Sequence, residues 1–235
     1  MSLQMPTPTD EDFGGIQDQV LIDPIWISAH RNFLRNTFSD HAKAAGHMHP
    51  DRIVVAFRNH NDPDAFNDLV GTYNILDPEA DLVLYRCTVD PGKNPMQRIS
   101  KIGVHKDGVA RMKPGIYPNV MGYGYHHKDT RHPALVQKAP IPFERFDTET
   151  QEWYTPEAQQ NSLRGFNVHR SFWDRSARHV GDWSHGCITF ANRLAHWEFL
   201  TKHAGYPVHG PASATSHVRN RRLSLAIFDI TPQPR

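Results

Sequence analysis

An α+β fold, mainly β and rich in loops with helices at its flanks, is what the sequence predicts. Three observations carry that reading. The 18 prolines and 15 glycines divide the 235 residues into short pieces. Runs of β-branched and aromatic residues recur between these breakers, as strands require. Only two stretches, 25–45 and 191–204, place apolar residues at the i, i+3, i+4 spacing of an amphipathic helix. At 26.9 kDa the chain is one large domain or a domain with an appended subdomain, and either buries a sizeable core.

Taken in order, residues 1–16 are polar, with Pro6, Pro8 and Asp10-Glu11-Asp12, and read as a flexible arm. Residues 17–50 form an N-terminal helical segment. Its helix starts after Pro24 and carries Trp26, Ile27, Ala29, Phe33, Leu34 and Phe38 before Gly46 stops it. The His47-Met48-His49 loop before Pro50 resembles a ligand pair but reads as a polar loop. The main domain spans 51–230, and 231–235 is a tail. Within that domain Arg52–Arg58 (RIVVAFR) is a buried strand, ended by the Asn59–Asp64 cluster, which lacks the regular spacing of a calcium loop. Asp81–Val89 is a second strand, and it makes Cys87 a small buried hydrophobe. Lys113-Pro114-Gly115 turns into a short strand at Ile116-Tyr117, and Met121–Lys128, with Tyr123 and Tyr125, is a loop that covers a cleft or forms a hairpin tip. Ala134–Lys138, Phe143–Phe146 and Phe166–His169 are short strands. Ala191–Ala204 is a helix capped by Asn192 and stopped by Gly205, with Leu194, Trp197 and Leu200 on its apolar face. Leu223–Ile230 is the last core strand.

Charge and composition exclude several classes. Lys plus Arg number 26 against 25 Asp plus Glu, which leaves no electrostatic footprint for nucleic acid or an anionic membrane. No run of apolar residues approaches a membrane span, and the first residues lack the pattern of a secretion signal. The chain is therefore expected to be made in the cytoplasm, without membrane insertion. Its two cysteines, Cys87 and Cys187, lie 100 positions apart and do not form a disulfide framework.

The chemistry concentrates in residues 165–190, GFNVHRSFWDRSARHVGDWSHGCITF. A thiol with a pKa of about 8.5 is only a few per cent thiolate at neutral pH, so a reactive Cys187 needs an imidazole or a dipole beside it. His185 is two residues away, and in an extended segment an i, i+2 pair shares one face. Gly186 lets the backbone approach a substrate and, with Cys187, offers N–H groups to an oxyanion. His169, eighteen positions upstream, is brought to the cysteine by strand pairing. A buried structural thiol, or a zinc shell of His185 and Cys187 with His169, His126 or His127, remains an alternative to nucleophilic catalysis at this level.

His169, fourteen intervening residues and then Ser184-His185-Gly186-Cys187 resemble the signature of the L,D-transpeptidase (YkuD-type) catalytic domain. Met112–Tyr117 resembles the family's Pro-Thr-Gly-aromatic strand start, and the likeness covers about residues 80–200. Phe66-Asn67-Asp68-Leu69-Val70-Gly71 bears a looser similarity to phage-encoded proteins. The resemblance implies a mainly antiparallel, β-sandwich-like catalytic core with flanking helices at 51–230. It also implies acyl transfer on peptidoglycan stem peptides through a Cys187 thioester, as L,D-transpeptidase or L,D-carboxypeptidase/endopeptidase, with no cofactor and no metal. Carried over, Cys187 is the nucleophile, His169 its base, and His185, Gly186 and Ser184 shape the oxyanion pocket; Thr189, Tyr123 and Tyr125 are substrate-binding candidates. Thr189 departs from the Arg or Asn usual in the family, and Asn192 or Arg193 stands near enough in sequence to replace that contact. Action at the bacterial wall then follows lysis, virion delivery or secretion. The other readings are a phage structural or wall-binding module that keeps the fold without turnover, and a zinc hydrolase.

Overall fold

The computed structural model of the chain describes residues 3–5, 28, 31–38, 52–59, 65–75, 77, 82–92, 109–126, 132–157, 165–171, 179–180, 184–212 and 214–232. The start of the first helix at Pro24, the His47-Met48-His49 loop, residues 60–64 and His127 lie outside them.

Eight strands close into a barrel. They are β2 (Ile53–Asn59), β3 (Asp68–Tyr73), β4 (Leu84–Thr88), β6 (Gly115–Tyr125), β7 (Pro133–Gln137), β10 (Asn167–Arg170), β11 (Ile188–Phe190) and β12 (Arg222–Pro232). Their order is β12-β2-β3-β4-β11-β10-β7-β6, and β6 pairs back onto β12. The expected antiparallel sandwich with flanking helices is corrected by this closure. Eleven-residue β6 is long enough to pair with β7 through 121–125 and with β12 through 115–122, so the sheet returns on itself and leaves no second layer to pack as a sandwich. The barrel is mixed: β12 with β2 and β10 with β11 run parallel, and the other barrel pairs are antiparallel. Short β1 (Leu3–Met5) adds in parallel to the end of β12, so these three residues are a strand where an arm was expected, and β12 runs on to Pro232 into the expected tail. A separate three-stranded sheet joins β5 (Ala110–Met112), β8 (Phe143–Asp147) and β9 (Glu152–Tyr154).

The core fills the barrel. All eight strands send side chains into one apolar cluster: Val54 and Ala56, Val70, Tyr85 and Cys87, Met121 and Tyr123, Leu135, Val168, Ile188 and Phe190, and Leu223, Leu225 and Ile227. The alternate residues of β2, Ile53, Val55 and Phe57, join a second cluster with Leu34 and Phe38 of the helical segment 31–38, and with Ala226 and Ile230 of β12. β2 is thus buried on both faces, which is why RIVVAFR reads as an unbroken apolar run instead of an alternating one. Cys87 is fully buried within the first cluster, as its strand position predicts.

The helix after β11 spans Arg193–Glu198 and continues as a π-helical turn, Phe199–His203. Asn192 caps it as expected, its Oδ1 accepting the N–H groups of Leu194 (2.6 Å) and Ala195 (3.3 Å). Leu200 is buried as expected, but the rest of the buried face is different. Leu194 is 69% exposed and Trp197 37%, whereas Ala195, His196, Phe199 and Leu200 are buried. The small residue and the imidazole turn inward because Phe190 of the preceding strand packs against both His196 (5.2 Å) and Phe199 (5.1 Å).

Candidate active site

Two adjacent parallel strands position the central groups. The register sets Val168 against Ile188 and His169 against Thr189. Because side chains alternate along a strand, Val168 and Ile188 enter the core while His169 and Thr189 share the opposite face. His169 is buried, and its Nδ1 lies 2.8 Å from the Arg170 carbonyl oxygen, which can only accept. Nδ1 therefore carries the ring proton, and Nε2 accepts the Thr189 hydroxyl at 3.2 Å.

Cys187 sits one residue before β11 and is half-buried. Among the described residues its sulfur accepts the Asn167 N–H at 3.4 Å and lies 3.7 Å from the Gly165 carbonyl oxygen. His126, just past the end of β6, stacks face to face on His169 with centroids 3.8 Å apart and planes 8° from parallel. Its Nδ1 is 2.9 Å from Asn167 Nδ2. Ligand-bearing atoms of His126, His169 and Cys187 all lie within 4.8 Å of one another.

Electrostatics set the resting protonation state. Burial, followed by the His126 ring and then His132 and His196, holds His169 well below the usual imidazole value, against the Arg170 hydrogen bond. Burial pushes the Cys187 thiol up to about 11, opposed by the Asn167 N–H. The pair rests as neutral thiol and neutral imidazole at neutral pH, in place of the imidazolium–thiolate pair an activated cysteine often uses. Two more imidazoles continue the group: His132 is 5.8 Å from His169 and 6.2 Å from His196. His196 is pushed down to about 3, first by burial and then by His132.

The remaining expected site residues divide. Ser184 is buried; its Oγ donates to the Cys187 carbonyl at 2.9 Å and accepts the Gly186 N–H at 3.2 Å. Gly186 lies at φ +126, and a Cβ there would strike the Ala110 carbonyl oxygen, so only glycine fits this turn. Its N–H is engaged by Ser184 Oγ. His185 is exposed and stands apart from the imidazole–thiol group, because residues 185–187 form a bend and the i, i+2 rule of an extended strand does not apply. Thr189 is fully buried, with its hydroxyl on Nε2 of His169. Tyr123 is a core residue whose hydroxyl donates to Ala204 O at 2.7 Å and whose ring meets Tyr206 edge-on at 5.5 Å; Tyr125 is half-buried at the end of β6. The expected loop at 121–125 is the second half of that strand.

Asn167, His132 and His196 were not anticipated. Asn167 was within reach of the i, i+2 rule from His169 on the same strand, whereas His132 and His196 come from the approach to β7 and from a helix, with no local signal. Arg193 and Arg170 line a cavity of about 260 Å³ together with Pro133, Leu194, His196 and Trp197. No family model matches this chain, and a search of curated proteins also finds no match.

Proposed function

We propose that the protein is a cysteine-dependent acyl-transfer enzyme of the L,D-transpeptidase kind, acting on peptidoglycan stem peptides. The observation that carries the chemistry is the convergence of Cys187, His169 and His126 within 4.8 Å, with His169 held in a single tautomer by Arg170 O. The choice of stem peptides rests on the resemblance of His169 and Ser184-His185-Gly186-Cys187 to that family.

As the Cys187 sulfur attacks the peptide carbonyl carbon, its proton passes to His169 Nε2, which exchanges the Thr189 hydroxyl for the thiol. The neutral resting pair makes this transfer concurrent with attack. The Cys187 N–H is the backbone donor for the developing oxyanion, since that of Gly186 serves Ser184. Collapse of the tetrahedral adduct breaks the C–N bond, the leaving amine takes the proton from His169, and a thioester remains. Water resolves it in a carboxypeptidase or endopeptidase, and an acceptor amine does so in a transpeptidase. Mass spectrometry of products from purified tetrapeptide muropeptides decides the matter. Turnover by the wild type and none by Cys187→Ala is expected, and equal turnover by both overturns the proposal.

A module that binds the wall without turnover is favoured by one observation: among the described residues the sulfur's hydrogen-bond partners are backbone groups and not an imidazole. Slow, His169-independent alkylation of Cys187 by iodoacetamide at neutral pH, together with tight binding to sacculi, would establish that reading.

A further inference from the structure

The same three side chains have the chemistry of a metal site. We propose that Cys187, His169 and His126 bind one thiophilic divalent cation of the zinc class, and that its occupancy silences the nucleophile.

The donor set is one thiolate sulfur and two imidazole nitrogens, a combination that selects zinc and its softer relatives over magnesium or calcium. The donors come from three separate places in the fold, the end of β6, β10 and the turn before β11, and barrel pairing brings them together. Metal–ligand bonds of about 2.0 to 2.3 Å in a tetrahedron set donors about 3.5 Å apart. The present spread of up to 4.8 Å therefore needs a contraction of about 1 Å. The His126 ring, now parallel to that of His169, has to swing out of the stack to aim a nitrogen at the same point, and half-buried Cys187 rotates to meet it while buried His169 stays fixed.

One supporting contact of the kind that orients metal-binding imidazoles is already present. The Arg170 carbonyl takes the Nδ1–H of His169 and directs Nε2 toward the site. Asn167 Nδ2 donates to Nδ1 of His126 at 2.9 Å, a contact that coordination of His126 through either ring nitrogen gives up. Binding replaces the S–H bond by a metal–sulfur bond, and the proton leaves to solvent. It also replaces the Thr189 hydroxyl on Nε2 by the cation and gives up the Asn167 bond, a net exchange against two neutral hydrogen bonds. Three protein ligands leave a fourth position for water.

This inference rests on the acyl-transfer reading only for its consequence: a sulfur bound to a cation cannot attack a carbonyl. The test uses the full chain, stripped with a chelator and titrated with Co²⁺ and Cd²⁺. A thiolate-to-metal charge-transfer band saturating at one equivalent and displaced by Zn²⁺ is expected. Cys187→Ser removes the band, and His126→Ala weakens affinity at least tenfold while circular dichroism shows the fold retained. One equivalent of Zn²⁺ slows iodoacetamide labelling of Cys187 at least tenfold, and chelation restores it, with peptide mapping separating Cys187 from Cys87. Absence of the band together with unchanged labelling overturns the site. Muropeptide turnover by the stripped protein, with no band on titration, removes this inference alone, and a full band on titration with no turnover by the stripped protein removes the acyl-transfer reading alone.

Discussion

Thr189 and Gly186 each do something a sequence comparison would not assign to them. Thr189 occupies the position where the resembled family carries a cation or an amide, but the parallel register sets it opposite His169, and its hydroxyl serves that ring. Thr189→Val keeps the branched shape and removes the hydroxyl. A loss of about tenfold or less in kcat with little change in KM is expected, the worth of one neutral hydrogen bond. A large rise in KM with kcat intact would show instead that the hydroxyl meets the substrate. Gly186→Ala meets both a strained φ and the Ala110 carbonyl oxygen, and should destabilise the fold by about 2–4 kcal/mol in urea titration. A variant as stable as the wild type would mean that the turn relaxes freely. At this scale Cys187 and His169 were legible because their spacing forms a compact pattern. The exposure of His185 was not legible because the strand period does not hold in a bend, and His126 is recognisable only once β6 is known to end beside β10.

Among the elements, the helix after β11 shows where periodicity succeeds and where it fails. Its cap was legible from Asn192 alone, since a short amide side chain reaches the second and third N–H groups of any helix. Its buried face was not, because hydrophobic character pointed to Leu194 and Trp197 while packing against Phe190 selected His196 and Phe199. Leu200→Ala should cost about 2–5 kcal/mol, as for a fully buried leucine, and Leu194→Ala under about 0.5 kcal/mol. Thermal or urea unfolding of the two variants would separate them, and equal losses would return Leu194 to the core. β2, β4 and β12 were legible for the opposite reason: strands buried on one or both faces keep long apolar runs. β3 was missed because Asp68 and Gly71 break its run. Asp68 nevertheless belongs there, as its carboxylate accepts the Asn59 N–H with one oxygen and the Val89 N–H with the other, joining the ends of β2 and β4.

For the molecule as a whole, closure was the feature least legible, because β6 and β12 meet across about a hundred residues and no local pattern encodes that pairing. The buried titratable groups make stability depend on pH. His169 and His196 have depressed values, so the unfolded chain, near 6.5, binds protons that the folded chain refuses, and stability falls as pH drops below about 6.5 toward about 3. Asp68 acts oppositely. Burial, then Asp90, raises it to about 7, so its contribution is fullest below about 4 and fades as pH rises to about 7. The urea midpoint of His196→Phe should accordingly change less between pH 7 and pH 5 than that of the wild type. An identical change in both proteins would show that this ring does not carry the acid sensitivity.

β12 pairs with β2 on one edge and with β6 and β1 on the other, and it is the last strand of the barrel in chain order. During synthesis the other seven barrel strands must therefore wait, as an open sheet with unsatisfied edges, until residues 222–232 have left the ribosome. His126 hangs from β6, which reaches β10 and β11 through β7, so the pairings that bring the thiol and its two imidazoles together need no residue of β12. A nascent chain of this protein can therefore hold its cysteine among its imidazoles while the barrel is still open at the β2 and β6 edges.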